Sequence, residues 1–224
     1  MQRPPFTQQC GPFGKWNSVH EVQDFLSQLP PWIRPYRFPL SEGIGPLGIP
    51  GEFAEEKRTN YVLDLSPDFP TLQQNFQRAL RRKLKKFGPV TLSPAEPDLI
   101  IQHYREQVGA KAGLKRWHYQ RVNRLMEACQ ERDLGVLVRA DEAEYGLLAA
   151  GFFPLHQGRL INLFATSTKA GYQRAGMARL LTALIEVYRG EGRILDFEGS
   201  DLPGVAEFFR SFGPKKRTYY TTGR

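Results

Sequence analysis

Apolar positions recur along the chain in two rhythms, and the change from one to the other divides it into elements. Val19, Val22, Phe25, Leu26 and Leu29 fall three and four residues apart, the spacing of one helix face. Ser18 and Glu21 stand in the S-x-x-E spacing of a capping box, and Pro30-Pro31 ends the helix. Trp32 to Leu40 reads as extended. The Gly/Pro-rich stretch 41–58 reads as a loop, of the kind that serves as a lid, a binding loop or a plain connection. Tyr61–Leu65 is predicted as a strand. After Ser66-Pro67-Asp68, helical rhythm returns over about 69–87, with Leu72, Phe76, Leu80, Leu84 and Phe87 on the apolar face. The polar face of that helix carries Arg78, Arg81, Arg82, Lys83, Lys85 and Lys86, so the helix is amphipathic and strongly basic. Such a face suits a phosphate-rich substrate or RNA; a solvated surface is the plain alternative.

A short strand at Val90–Leu92 and a helix over 96–107 follow. The basic stretch 111–121, with Trp117 and Tyr119 interleaved, leads into a helix that turns Val122, Leu125, Met126 and Cys129 inward. Basic and aromatic residues together can stack a base or bind a single strand; the same aromatics also suit a core. From Leu134 the period becomes two. Strands are predicted at 134–139, 145–155 and 160–164, with turns at Asp141-Glu142 and His156–Arg159. A helix of about 173–190, a strand at Ile194–Phe197, a helix over 203–212 and a last strand near 218–221 complete an α/β chain built on a mixed sheet.

Composition narrows the class. The chain has 224 residues, 41% hydrophobic and 24% charged, which excludes disordered and collagen-like chains and allows one large or two small domains. Cys10 and Cys129 cannot build a disulfide scaffold. His20, His103, His118 and His156 are scattered, which argues against a metal enzyme. No apolar run approaches the roughly 20 residues of a membrane span, and the N-terminus has no apolar signal core. With free thiols, this leads us to expect a cytoplasmic location. The formal charge of +8 favours anionic partners, with solubility alone as the plain reading.

The stretch T-S-T-K-A-G-Y-Q-R-A-G-M-A-R (166–179) holds the most chemistry. A strand ends, a short basic loop follows and a helix begins near Gln173. First-turn amides of a helix lack internal acceptors and sit at its positive end, where a diphosphate can collect them. Gly171 and Gly176 are expected to let the backbone approach such a ligand, with Lys169, Arg174 and Arg179 adding charge. The plain alternative is a capped core helix that packs Leu180, Leu181, Leu184 and Val187 on the sheet.

Gln173-x-x-Gly176-x-Ala178 after a hairpin and before a long helix resembles the Q/R-x-x-G-x-G/A acyl-CoA signature of the GNAT N-acyltransferase superfamily. D-F-E-G-S (196–200) with S-F-G (211–213), P-P-F-T-Q-Q-C-G (4–11) and R-T-N-Y-V-L-D-L (58–65) resemble its FemAB-like branch. The resemblance implies a GNAT-like acyl-CoA N-acyltransferase fold, a mixed, mostly antiparallel sheet flanked by helices. It implies tandem halves, with 1–66 an incomplete N-terminal half and 67–224 the C-terminal acyltransferase domain. It implies transfer of an acyl group, expected to be acetyl, from acyl-CoA to an amine on a small molecule or peptide, without a metal. Acyl-CoA would be held by Phe164, Ala165, Thr166, Gln173, Arg174, Ala175, Gly176, Met177 and Ala178.

Such a reaction needs a group to accept the amine proton. In strand alternation Asp196 and Glu198 share one face, and Glu198, nearer the strand's C-terminal end, is the favoured base. Many GNAT enzymes place a Tyr on the following helix. Phe208 and Phe209 stand there instead, so Tyr219, beside Tyr220, is the nearby candidate; sheet packing is its plain role. Ser200 reads as a cap for the next helix or a substrate contact. The alternative within the resemblance is aminoacyl transfer from aminoacyl-tRNA to a cell-wall precursor, for which the two basic segments would meet the tRNA. The coiled-coil insertion frequent in that group has no counterpart here. A non-catalytic binding protein is the third reading.

Overall fold

The computed structural model describes residues 6–9, 11, 15, 18–28, 30, 37–47, 54–109, 112–199 and 202–223. Cys10, Leu29, Lys111, Ser200, residues 32–36 and residues 48–53 of the expected loop lie outside them. The chain forms two compact units. One comprises 1–61, 199–206 and 216–224; the other comprises 62–198 and 207–215.

In the first unit, α1 (Val19–Ser27) starts where the capping box places it, with Ser18 Oγ accepting from the Glu21 amide at 3.3 Å. Its Val22 and Leu26 form a small core with Leu40 and Leu47, against which Val19, Ile44 and Tyr220 pack. β1 (Arg37–Pro39) pairs antiparallel with the end of β9 (Lys215–Gly223), and β9 neighbours β2 (Ala54–Asp64). β2 is eleven residues long. The polar run Glu55–Arg58, expected as loop, is therefore strand: ladder hydrogen bonds to a neighbour satisfy its backbone whatever its side chains prefer.

In the second unit the end of β2 pairs antiparallel with β8 (Ile194–Asp196), and β8 runs parallel to β6 (Arg159–Ile161). β5 (Gly146–His156) pairs with β6, with β7 (Phe164–Ser167) and with β4 (Gly135–Glu142); β4 pairs with β3 (Leu92–Pro94). The β5–β6 turn is two residues, Gln157 (φ 49°) and Gly158 (φ 75°), the left-handed pair a tight hairpin demands. Asp141 and Glu142, expected as a turn, stay paired to Leu147 and Gly146. The third predicted strand, 160–164, is instead two short strands, β6 and β7.

Helices differ from the sequence pattern where tertiary partners intervene. The span 69–87 is two helices, α2 (Phe69–Gln74) and α3 (Arg78–Phe87). Between them the Gln77 amide donates to Ser211 O at 2.8 Å, and Phe76, 2% exposed, meets the Phe212 ring edge-on at 5.3 Å. Burying that ring is worth about 2–3 kcal/mol, more than continuing one exposed turn of helix. α4 (Pro97–Tyr104) ends in a π-turn at Arg105–Gly109. On α5 (Arg116–Glu131) Val122, Met126 and Cys129 are buried as expected, but Leu125 faces outward. The helix expected from 173 is α6 (Lys169–Gln173) followed by α7 (Gly176–Tyr188), which buries Leu180, Leu181 and Leu184 and leaves Val187 exposed. α8 (Pro203–Arg210) brings Phe209 against Phe197 at 5.1 Å. No helix among the described residues is long and apolar enough to cross a membrane.

Candidate active site

The sheet of the second unit opens beyond the last pairing of β6 with β8. β6 and β8 pair over Arg159↔Ile194, Leu160↔Leu195 and Ile161↔Asp196, and the last bond between them runs from the Asn162 amide to Asp196 O at 2.8 Å. There the chain kinks, the Leu163 amide bonding back to Ile161 O at 2.9 Å. Beyond the kink β7 stays with β5, while Phe197 and Glu198 leave the strand. Two parallel neighbours thus part and leave a wedge bordered by β7. Asn162 Oδ1 and Thr166 Oγ1, on this border, are buried without a hydrogen-bond partner. Buried polar atoms are nearly always paired with protein or water, so these two can take a hydrogen bond from a ligand atom or a water.

β7 feeds the α6–α7 corner. Thr168 caps α6: its hydroxyl accepts from the Gly171 amide at 3.0 Å and donates to Leu147 O at 2.7 Å, and its own amide donates to Leu148 O at 3.0 Å. Leu148 is the extra residue of a bulge, since Ala140 opposes Ala149 while Asp141 opposes Leu147. The corner lies flat on that bulge. A Cβ at position 171 would sit 1.8 Å from Leu148 O, and one at 176 would sit 2.8 Å from Leu148 Cβ. Both glycines therefore serve the approach of the corner to its own sheet, where the sequence alone suggested approach to a ligand. Ala175 takes a left-handed conformation, φ 54°, at the break. The first-turn amides of α7, at Gly176, Met177 and Ala178, have no intrahelical acceptors.

The charges expected beside that turn are committed elsewhere. Glu142 accepts from both Arg174 and Arg179. Arg179 is 3% exposed and also donates to Gly88 O at 2.9 Å and Pro89 O at 3.1 Å, so it ties α7 to the end of α3. Arg174 stacks over the Tyr145 ring at 3.9 Å. The Arg174 hydrogen bond, then that of Arg179, holds the Glu142 carboxyl below its usual range against the opposing effect of burial. Lys169 is exposed and is the remaining cation of the three.

The two acids of D-F-E have different surroundings. Asp196, 4% exposed, is ion-paired with Arg159, and its Oδ1 accepts from the Glu198 amide at 2.8 Å. That carboxylate is neutralised and spent on shaping the strand end. Glu198 is half-buried with φ 59°. Its position is set by this turn, because β8 ends at Asp196 and strand alternation does not reach it. Phe164 is buried and stacks on Tyr104 at 3.8 Å; Ala165 and Thr166 follow it along the wedge border. Burial pushes the Tyr104 phenol up, which keeps it protonated. Tyr104 and Asn162 carry no local sequence signal, since only the fold brings them to β7 and to the parting. Tyr219 belongs to the first unit, buried in β9.

No family model and no curated protein matches the sequence. Solved structures do match. FemX aligns with a TM-score of 0.63 at 11% identity, covering 90% of this chain and 76% of that chain. A conserved protein of unknown function from Bacteroides thetaiotaomicron aligns at 0.59 and 10% identity, covering 92% and 75%. L-PGS from Bacillus licheniformis aligns at 0.55 and 14% identity, covering 91% and 72%. The chain thus has the fold these proteins share, a mixed and mostly antiparallel sheet flanked by helices.

Proposed function

We propose that this chain is an acyltransferase that moves an acyl group from acyl-CoA to an amine, with the donor seated in the wedge. The observation that carries this reading is the parting of β7 from β8 beside two orphaned buried polar atoms, at the N-terminus of a thirteen-residue helix. An extended amide-bearing donor can add to the open edge of β7 as a further strand would. Its diphosphate meets the amides of Gly176, Met177 and Ala178. Because both nearby arginines are held by Glu142, backbone amides and Lys169 supply the attraction. The likeness in fold to FemX and L-PGS supports an acyltransferase without fixing the donor.

In the reaction the amine nitrogen attacks the thioester carbonyl, the C–N bond forms, the C–S bond breaks and the thiol leaves. Glu198 accepts the amine proton directly or through a water, and Asp196 positions it through the 2.8 Å bond to its amide. Calorimetry with acetyl-CoA tests the seat: binding is expected, and is weakened in Lys169→Glu, a change at an exposed side chain that leaves the packing of the corner intact. In Glu198→Gln, kcat is expected to fall roughly 10²–10⁴-fold with binding retained. Acetyl-CoA that fails to bind the intact chain overturns the donor assignment.

A second reading takes the acyl group from aminoacyl-tRNA. It is favoured by the exposed cations of α3 and by Trp117, 41% exposed beneath the Arg121 guanidinium at 4.7 Å.

A further inference from the structure

A cavity lies between α2, α3 and α7, with a volume of about 470 Å³. That is within the roughly 300–1,000 Å³ of small-molecule sites. Phe69, Leu84, Val90 and Ala183 give it apolar walls, and Arg81 and Lys85 line it from α3. Both cations are exposed and no carboxylate among the described residues pairs with them. Glu186 on α7 is the acid of the lining; Arg179, which also lines it, is matched by Glu142.

The cavity opens on a larger charged face. At 3.6 residues per turn, Arg78, Arg81, Arg82, Lys85 and Lys86 span about 140° of α3, all exposed, and α3 contains no acid. An apolar cavity edged by cations on a basic face has the chemistry of an aliphatic chain joined to a phosphate. A polyanion such as RNA would use the cations and leave the apolar walls without a partner. A cluster of about four to eight Lys/Arg on an amphipathic helix matches an anionic leaflet.

We propose that this cavity binds an anionic membrane lipid, its phosphate on Arg81 and Lys85 and the start of its chain against Phe69, Leu84, Val90 and Ala183, so that α3 docks the protein on an anionic bilayer. The assignment does not depend on the acyl donor, because the cavity and the wedge share no lining residue assigned to the donor.

Sedimentation of the intact chain with vesicles tests it. Binding is expected to phosphatidylglycerol/phosphatidylcholine vesicles and not to phosphatidylcholine alone. Arg81→Glu/Lys85→Glu reverses the cavity's cations, and Gln73→Trp plugs its rim. Each is expected to weaken binding about tenfold or more, beyond the loss in Arg82→Glu/Lys83→Glu, which makes the same charge change off the lining. Both charge pairs are exposed, so thermal unfolding is expected to be unchanged in them, and they decide the matter should the tryptophan variant fold poorly. Equal losses in the two charge pairs overturn the site in favour of diffuse attraction. Full binding by a folded Gln73→Trp overturns the buried chain. Displacement of a fluorescent probe by soluble lysophosphatidylglycerol, without vesicle binding, overturns the membrane as its source. RNA binding without vesicle binding overturns the lipid.

Discussion

Glu142 holds two arginines at the start of the α6–α7 corner, and that pairing decides what the arginines are free to do. Arg179, 3% exposed, would be an uncompensated buried charge without it. Glu142→Gln is therefore expected to lower stability at neutral pH by about 2–3 kcal/mol, measured by urea unfolding. The sign of the pH dependence follows from the lowered carboxyl. Its contribution is complete above the usual glutamate value near 4.5 and is lost as pH falls through the lower folded value. The gap between wild type and variant is expected to close in acid and to stay constant between about pH 6 and 8; a gap unchanged at about pH 3 refutes the pairing as its cause. D-F-E identified two acids at a strand end, but alternation gave them one face and one chemistry. The fold separates them, because Arg159 neutralises Asp196 and Asp196 in turn shapes the Glu198 turn.

Elements were legible wherever their signals are local. The Ser18 cap, the hairpin at Gln157-Gly158 and the inward Val122, Met126 and Cys129 all stand where spacing puts them. Elements changed where a distant partner competed. The 69–87 helix breaks so that Phe76 reaches Phe212, and the helix after β7 breaks at Ala175 so that its first turn can lie on Leu148. This packing gives the corner its own test. Gly171→Ala drives a Cβ into Leu148 O and is expected to destabilise the chain by about 2–3 kcal/mol in urea or thermal unfolding. Gly45→Ala, with nothing within 4 Å of the new methyl, is the control and is expected to stay within about 0.5 kcal/mol. Equal effects at the two positions would remove the close approach as the reason for glycine at 171.

At the scale of the whole molecule, the net charge of +8 makes salt dependence the measurement that separates the two donors. Acyl-CoA carries few phosphates, so its affinity is expected to fall less than about tenfold between 50 and 200 mM salt. A tRNA neutralised at about six to ten phosphates would lose about 10³–10⁵ over that range. Reversal of Arg82 and Lys83 is expected to leave acetyl-CoA affinity within about twofold; a steep salt slope together with loss in that variant would transfer the reading to aminoacyl-tRNA. The α/β mixed-sheet class was legible in the sequence, since the periods of apolar residues, the caps and the hairpin turn act over a few residues and need no tertiary partner. Spacing also marked a strand-to-helix corner after Thr166, but it put the helix start near Gln173, where the structure begins a first helix at Lys169 and a second at Gly176. Which of the corner's charges are free, which acid at the strand end is spent and where the sheet opens were decided only by tertiary structure. Each of these depends on groups far apart in the chain: Arg159 and Asp196 are 37 residues apart, as are Glu142 and Arg179, and Arg179 reaches Gly88 across 91. A local pattern carries no record of such pairings, because they form only when the folded backbone brings the two ends together.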